Sequence, residues 1–173
     1  MRRPSRRAGA ALVAGLALAC NDGLQPVPDP TACPASFLGI CGTVQFQGAI
    51  PDSTDYVLLV AYEHFPQRRE DLFTFLPLIP PRLPLGGSTA FYRLRLPAGR
   101  YEWVLAVWKK QGTLSPQNAD SLLREAGYYR EPLNPSTPGV VLVAGPTDSI
   151  DFVVDFANMH PVSFYFPSRV AKP

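Results

Sequence analysis

The sequence predicts a mainly β protein, an antiparallel β-sandwich of about seven strands with one short helix in a crossover loop. Three observations carry this. Short runs alternate apolar and polar residues with a period of two, as half-buried strands do. Turn residues punctuate these runs at regular intervals, as in sandwiches and barrels. A 46% hydrophobic share, with 10 Phe, 7 Tyr and 2 Trp, supplies enough apolar bulk for a core.

The strands follow in order from Gly42. Thr43-Val44-Gln45-Phe46-Gln47 alternates and ends at Gly48. Tyr56-Val57-Leu58-Leu59-Val60-Ala61-Tyr62 is apolar on both faces, which reads as a central strand. In Phe91-Tyr92-Arg93-Leu94-Arg95-Leu96 one face carries Tyr92, Leu94 and Leu96 and the other the arginines. The turn Pro97-Ala98-Gly99-Arg100 leads into the longest candidate, Tyr101-Glu102-Trp103-Val104-Leu105-Ala106-Val107-Trp108. Asn118 is placed to cap a helix over residues 119–126, with Leu122 and Leu123 inward and Gly127 as its stop. Val140-Val141-Leu142-Val143 precedes a turn at Gly145-Pro146-Thr147-Asp148, and Ile150-Asp151-Phe152-Val153-Val154-Asp155-Phe156 alternates again. Residues 162–166 are expected to close an edge as a last strand.

Ahead of these lies an address. Arg2, Arg3, Arg6 and Arg7 precede a 12-residue apolar run ending at Ala19, and Cys20 follows. This is the layout of a secretory signal, and it is shorter than the roughly 20 residues of a membrane-spanning helix. Ala19 before Cys20 makes it resemble a bacterial lipoprotein signal, although Ala17 stands where leucine is usual, between Leu16 and Leu18. The resemblance implies lipidation of Cys20, and Asn21 after it implies the outer membrane. An ordinary secretory signal that leaves Cys20 bare is the alternative. Two or more acyl chains would make a stable anchor. The expected organisation is a signal peptide over 1–19, a lipid-anchored proline-rich linker over 20–41 and a β-sandwich domain over 42–173. Pro26, Pro28 and Pro30 forbid helix and favour an extended spacer of about 15 residues, reaching about 45 Å at about 3.1 Å per residue.

The signal also accounts for the charge. Without its four arginines, 12 of the 16 basic residues remain against 14 acidic ones, a net of −2. Basicity therefore belongs to targeting, and no nucleic-acid partner is expected. Cys33 and Cys41 are expected to form a disulfide in an oxidising compartment. No metal or cofactor is expected, because no Cys-x-x-Cys or neighbouring histidine completes a ligand set.

Gly42-Thr43-Val44-Gln45-Phe46, Leu96-Pro97-Ala98-Gly99-Arg100-Tyr101 and Ile150-Asp151-Phe152-Val153-Val154 together resemble the transthyretin-like, carboxypeptidase-regulatory-type Ig-like β-sandwich of bacterial surface lipoproteins. The resemblance spans roughly residues 42–156 and implies a fold, since such sandwiches host unrelated roles. Residues 72–85 and the helix depart from it as insertions.

Candidate sites are few. Residues 72–85 are apolar but carry four prolines, so they are excluded from a central strand. Either they wrap an edge and bury Phe73, Phe75 and Leu78, or Leu72, Phe73, Phe75, Leu78 and Ile79 form an exposed surface for a protein, lipid or acyl partner. Trp103 and Trp108, an odd number of positions apart, point to opposite strand faces, so at least one is a candidate for stacking on a sugar. His64 and His160 lack a Gly-x-Ser-x-Gly or His-Glu-x-x-His context. Asp151 and Asp155 lie roughly 13 Å apart at about 3.3 Å per residue, too far for a glycosidase pair. A calcium site at Asn118, Asp120 and Glu125 lacks loop spacing. The expectation is a lipid-anchored envelope protein with a binding or structural domain and no catalysis. A carbohydrate- or lipid-binding accessory module, or a hydrolase with an unrecognised site, is the alternative.

Overall fold

The computed structural model describes residues 32–115 and 117–166; the signal, Cys20 and most of the linker lie outside them. In chain order the strands are β1 (Gly39–Gln47), β2 (Thr54–Tyr62), β3 (Thr89–Arg95), β4 (Gly99–Tyr101), β5 (Trp103–Lys110), β6 (Leu123–Tyr128), β7 (Arg130–Glu131), β8 (Asn134–Pro138), β9 (Val141–Val143), β10 (Pro146–Thr147), β11 (Phe152–Asp155) and β12 (His160–Pro161). A 3-10 turn spans Arg69–Phe73, α1 (Ala119–Leu122) precedes β6, and α2 (Val162–Tyr165) follows β12.

Two sheets make the sandwich. In the first, β1 is central, with β3 antiparallel on one side and β10 and β11 parallel on the other. The parallel pairs depart from the all-antiparallel expectation. They arise because the chain crosses to the second sheet and returns before pairing with β1, as parallel neighbours require. The second sheet is antiparallel, in the order β12-β6-β5-β2. Two small ribbons, β4-β9 and β7-β8, flank them.

Strand parity fills the space between the sheets. Ile40, Val44, Tyr92, Leu94, Phe152 and Val154 from one face meet Val57, Leu59, Ala61, Val104, Ala106 and Trp108 from the other. Each such large apolar side chain contributes roughly 1.5–3 kcal/mol on burial. The polar tips in this core are satisfied, with Tyr101 donating to the Pro97 carbonyl at 3.0 Å. Tyr92 donates to the Ile150 carbonyl at 2.5 Å, and the Trp108 indole donates to Thr54 Oγ1 at 2.7 Å. A disulfide joins Cys33 to Cys41, Cα atoms 5.5 Å apart, and staples the incoming chain to β1.

Three expectations are corrected. The helix stops at Leu122, and Leu123–Tyr128 is strand β6, paired along β5 through Val107↔Glu125 and Trp108↔Arg124. Ladder bonds and the burial of Ala126 outweigh the local helical pattern. Gly127 is a contact point and not a helix stop, since a Cβ there would sit 1.9 Å from the Val153 carbonyl oxygen of the opposite sheet. At the other end, residues 162–165 form α2 in place of a strand. Pro161 lacks the N–H that would extend the ladder, and Phe166 N–H closes back on Val162 O. Finally, β1 begins at Gly39, inside the stretch assigned to the linker.

Candidate ligand-binding site

β2 and β5 are apolar on both faces, and the structure shows why. The outward residues Val60, Tyr62, Trp103 and Leu105 are buried in a second cluster, against Phe65, Leu72, Phe75 and Tyr165. The second sheet therefore lies in the middle of three layers, with the other sheet inside and a cover outside. β2 is an edge strand, and residues 76–83 protect its free side. Ala61 and Leu76 exchange backbone hydrogen bonds at 2.8 Å each, Leu59 N–H donates to Pro81 O, and Leu83 N–H donates to Val57 O. Proline at 77, 80, 81 and 84 suits this irregular edge and blocks further strand addition.

The cover is built from three pieces: the segment following β2, α1 and α2. Asp120 ties them together. Its carboxylate pairs with Arg69 of the 3-10 turn at 3.2 Å and accepts the Ser163 N–H of α2 at 2.8 Å. Tyr62, rising from β2, donates to Leu72 O at 2.7 Å and holds the turn down.

The cover does not fill the space beneath it. A cavity of about 190 Å³ remains, floored by Leu58, Val60, Leu105 and Val107 and walled by Leu72, Phe75, Trp103 and Tyr165. Its rim carries Lys109, Arg124, Glu125 and His160. Each of these is already engaged. Lys109 Nζ donates to Asp55 at 2.6 Å, Gly112 O at 2.7 Å and Lys110 O at 3.1 Å. Arg124 donates to the carbonyls of Asp120 and Leu123. Glu125, buried, accepts from the Tyr165 hydroxyl at 2.9 Å and lies 2.8 Å from His160 Nδ1. Burial, with the Glu125 carboxylate alongside, pushes the Tyr165 hydroxyl well above the usual tyrosine range, so it stays a neutral donor. The His160 ring stacks on Phe164 at 4.2 Å.

Trp103 is the exception. It is 2% exposed and enclosed by the rings of Tyr62, Phe65 and Tyr165, with centroids at 5.6, 4.8 and 5.2 Å. Its indole Nε1–H has no hydrogen-bond partner among the described residues. A buried donor left without an acceptor costs about 1–3 kcal/mol.

The residues singled out from sequence are distributed as follows. Cys20 lies outside the described residues. Leu72 and Phe75 face the cavity, Phe73 is half exposed, and Leu78 and Ile79 are 87% and 89% exposed on the arch between the two contacts with β2. Of the two alternatives for Leu78, exposure is the one observed: Leu76 and Pro81 hold the backbone to β2, and the residues between them bow outward. Trp103 and Trp108 do take opposite faces, but both are buried, so neither offers a surface platform for a sugar. His64 is exposed, 4.0 Å from Glu102. Asn118, Asp120 and Glu125 spend their oxygens on Ser115 N–H, on Arg69 with Ser163, and on Tyr165, and so form no calcium cradle. Asp148 accepts the Cys33 N–H, and the Sγ atoms beside it are joined in the disulfide. The Glu125–His160–Tyr165 cluster was not readable from the sequence. Its members are 35 and 40 positions apart and meet only through the β6–β12 pairing.

No family model matches the chain, and neither the curated proteins nor the solved structures contain a match to it.

Proposed function

We propose that this is a lipid-anchored protein of the bacterial outer membrane, whose β-sandwich binds a small apolar molecule without transforming it. The layout of residues 1–20 supports the anchor, and the linker supplies reach. The observation that carries the binding role is the three-layer arrangement. A sheet face as apolar as the core is covered, yet about 190 Å³ beneath the cover stays open. Ligand sites are typically such concave apolar spaces with a few placed polar groups. A binding role also fits the rim chemistry, where the carboxylate, imidazole, ammonium and guanidinium groups are committed to one another or to backbone carbonyls. Buried Trp103 and Trp108 favour an apolar ligand over a glycan.

Binding is tested with the full-length protein and the neutral single-ring fluorophore 4-(dimethylamino)benzonitrile, whose size matches the cavity. Saturable enhancement is expected, and Val107→Phe, which places a ring in the cavity, is expected to weaken it at least tenfold while leaving the circular dichroism unchanged. No saturable enhancement, or equal enhancement in Val107→Phe, contradicts the role. The anchor has its own test: metabolic acyl labelling is expected in the wild type and absent in Cys20→Ala, and labelling that persists in the variant contradicts it.

A further inference from the structure

We infer that the cavity accepts an uncharged molecule of about one ring's bulk that carries a hydrogen-bond acceptor for the Trp103 indole N–H; this rests on the binding role proposed above. Three observations on the same site converge. The first is size. About 190 Å³ is close to the roughly 150 Å³ of an engineered apolar cavity that stays dry and takes up benzene. A single aromatic ring or a short branched chain fits, and a full-length fatty acyl chain does not.

Charge is the second. An ionic ligand needs a counter-charge inside the site, because an unpaired ion in an apolar space is strongly disfavoured. Lys109 is neutralised by Asp55 and saturated by two carbonyls, and Arg124 is turned to the Asp120 and Leu123 carbonyls. Glu125 would repel an anion, and its pairing with His160 and Tyr165 leaves it poorly placed to hold a cation.

The third is the unmatched donor. The chain provides an internal comparison, since Trp108 on the opposite face of the same strand donates to Thr54 Oγ1 at 2.7 Å. Trp103, equally buried and bordering the cavity, has no such acceptor among the described residues. Trp103 Nε1 itself has less than 1 Å² of exposed surface, so a carbonyl, ether or hydroxyl oxygen brought in by the ligand would supply the acceptor as the ring shifts to meet it. The site would thereby distinguish an oxygenated molecule from a hydrocarbon of the same shape.

The experiment is a titration of full-length protein labelled with ¹⁵N-indole tryptophan, using acetophenone, ethylbenzene and benzoate as probes. Acetophenone is expected to move the Trp103 indole resonance downfield and leave that of Trp108 in place. It is expected to bind about 2- to 10-fold tighter than ethylbenzene, the worth of one neutral hydrogen bond. Benzoate is expected to bind at least tenfold more weakly than acetophenone. In Trp103→Phe the two uncharged probes are expected to bind alike; should that variant not fold, the wild-type spectra decide. If ethylbenzene and acetophenone bind equally, or the Trp103 resonance does not respond to bound acetophenone, the acceptor inference is overturned while the binding role stands. Benzoate binding as tightly as acetophenone overturns the requirement for an uncharged ligand. Failure of all three probes to bind overturns the binding role itself.

Discussion

Side chains with divided environments are the most informative at the residue scale. Trp103 and Trp108 share a strand and a chemistry, and the spacing of five between them already implies opposite faces. Spacing carries no record of the cover, which buries Trp103 just as the facing sheet buries Trp108. Two surface carboxyls show how local bonding sets acid sensitivity. The Phe65 N–H, then Arg100, holds the Glu102 carboxyl below its ordinary 4.5. The Asn158 side-chain amide, with the Ala157 N–H, holds Asp155 below its ordinary 3.8. Both groups bind fewer protons in the folded than in the unfolded chain. Their contribution is therefore complete above those ordinary values and disappears as the pH falls through the lowered ones. Glu102→Gln is expected to lower the urea midpoint at pH 7, and the gap to the wild type is expected to shrink as the pH falls below 4.5. A midpoint difference unchanged across that range would contradict this origin.

At the scale of elements, the strands were legible wherever apolar alternation coincides with a sheet face. The runs at 43–47 and 56–62 fall within observed strands, that at 91–96 overruns β3 by one residue, and that at 101–108 takes in the end of β4 and most of β5. Residues 119–126 satisfy helix rules locally, through an asparagine at the cap position and the adjacent Leu122 and Leu123, whereas the open edge of β5 is a long-range fact. The proline-rich segment was excluded from a central strand for the right physical reason, yet nothing in its composition says that Leu76 and Pro81 would touch β2 while Leu78 and Ile79 stay in solvent. The cover acts as one unit through Asp120, which joins segments 51 and 43 positions away from it on either side. Asp120→Ala is expected to accelerate amide exchange together in residues 69–76 and 162–166, leaving β1 and β5 protected. Its stability cost is expected to be about 1 kcal/mol, since the ion pair is partly exposed. Exchange that rises in only one of the two segments would show that Asp120 does not couple them.

For the whole molecule, the organising fact is a sandwich with a third layer on one side. The composition announced a large apolar content, and a two-layer body of this size accounts for only part of it. The remainder lies on the outer face of the β12-β6-β5-β2 sheet, under segments that sequence patterns treat as insertions. The disulfide fastens the opposite sheet to the incoming chain, so the cover is left on the side away from that staple. A loop closed by eight residues of separation contributes about 2.5 kcal/mol in the chain-entropy picture, independent of the cavity. The most direct measurement is a crystal structure of the full chain grown with acetophenone. Ligand density is expected beneath the cover, between Leu105, Val107 and Trp103, with its oxygen within hydrogen-bond distance of Trp103 Nε1. A space closed by the chain's own side chains, with the indole donating to one of them, would contradict it.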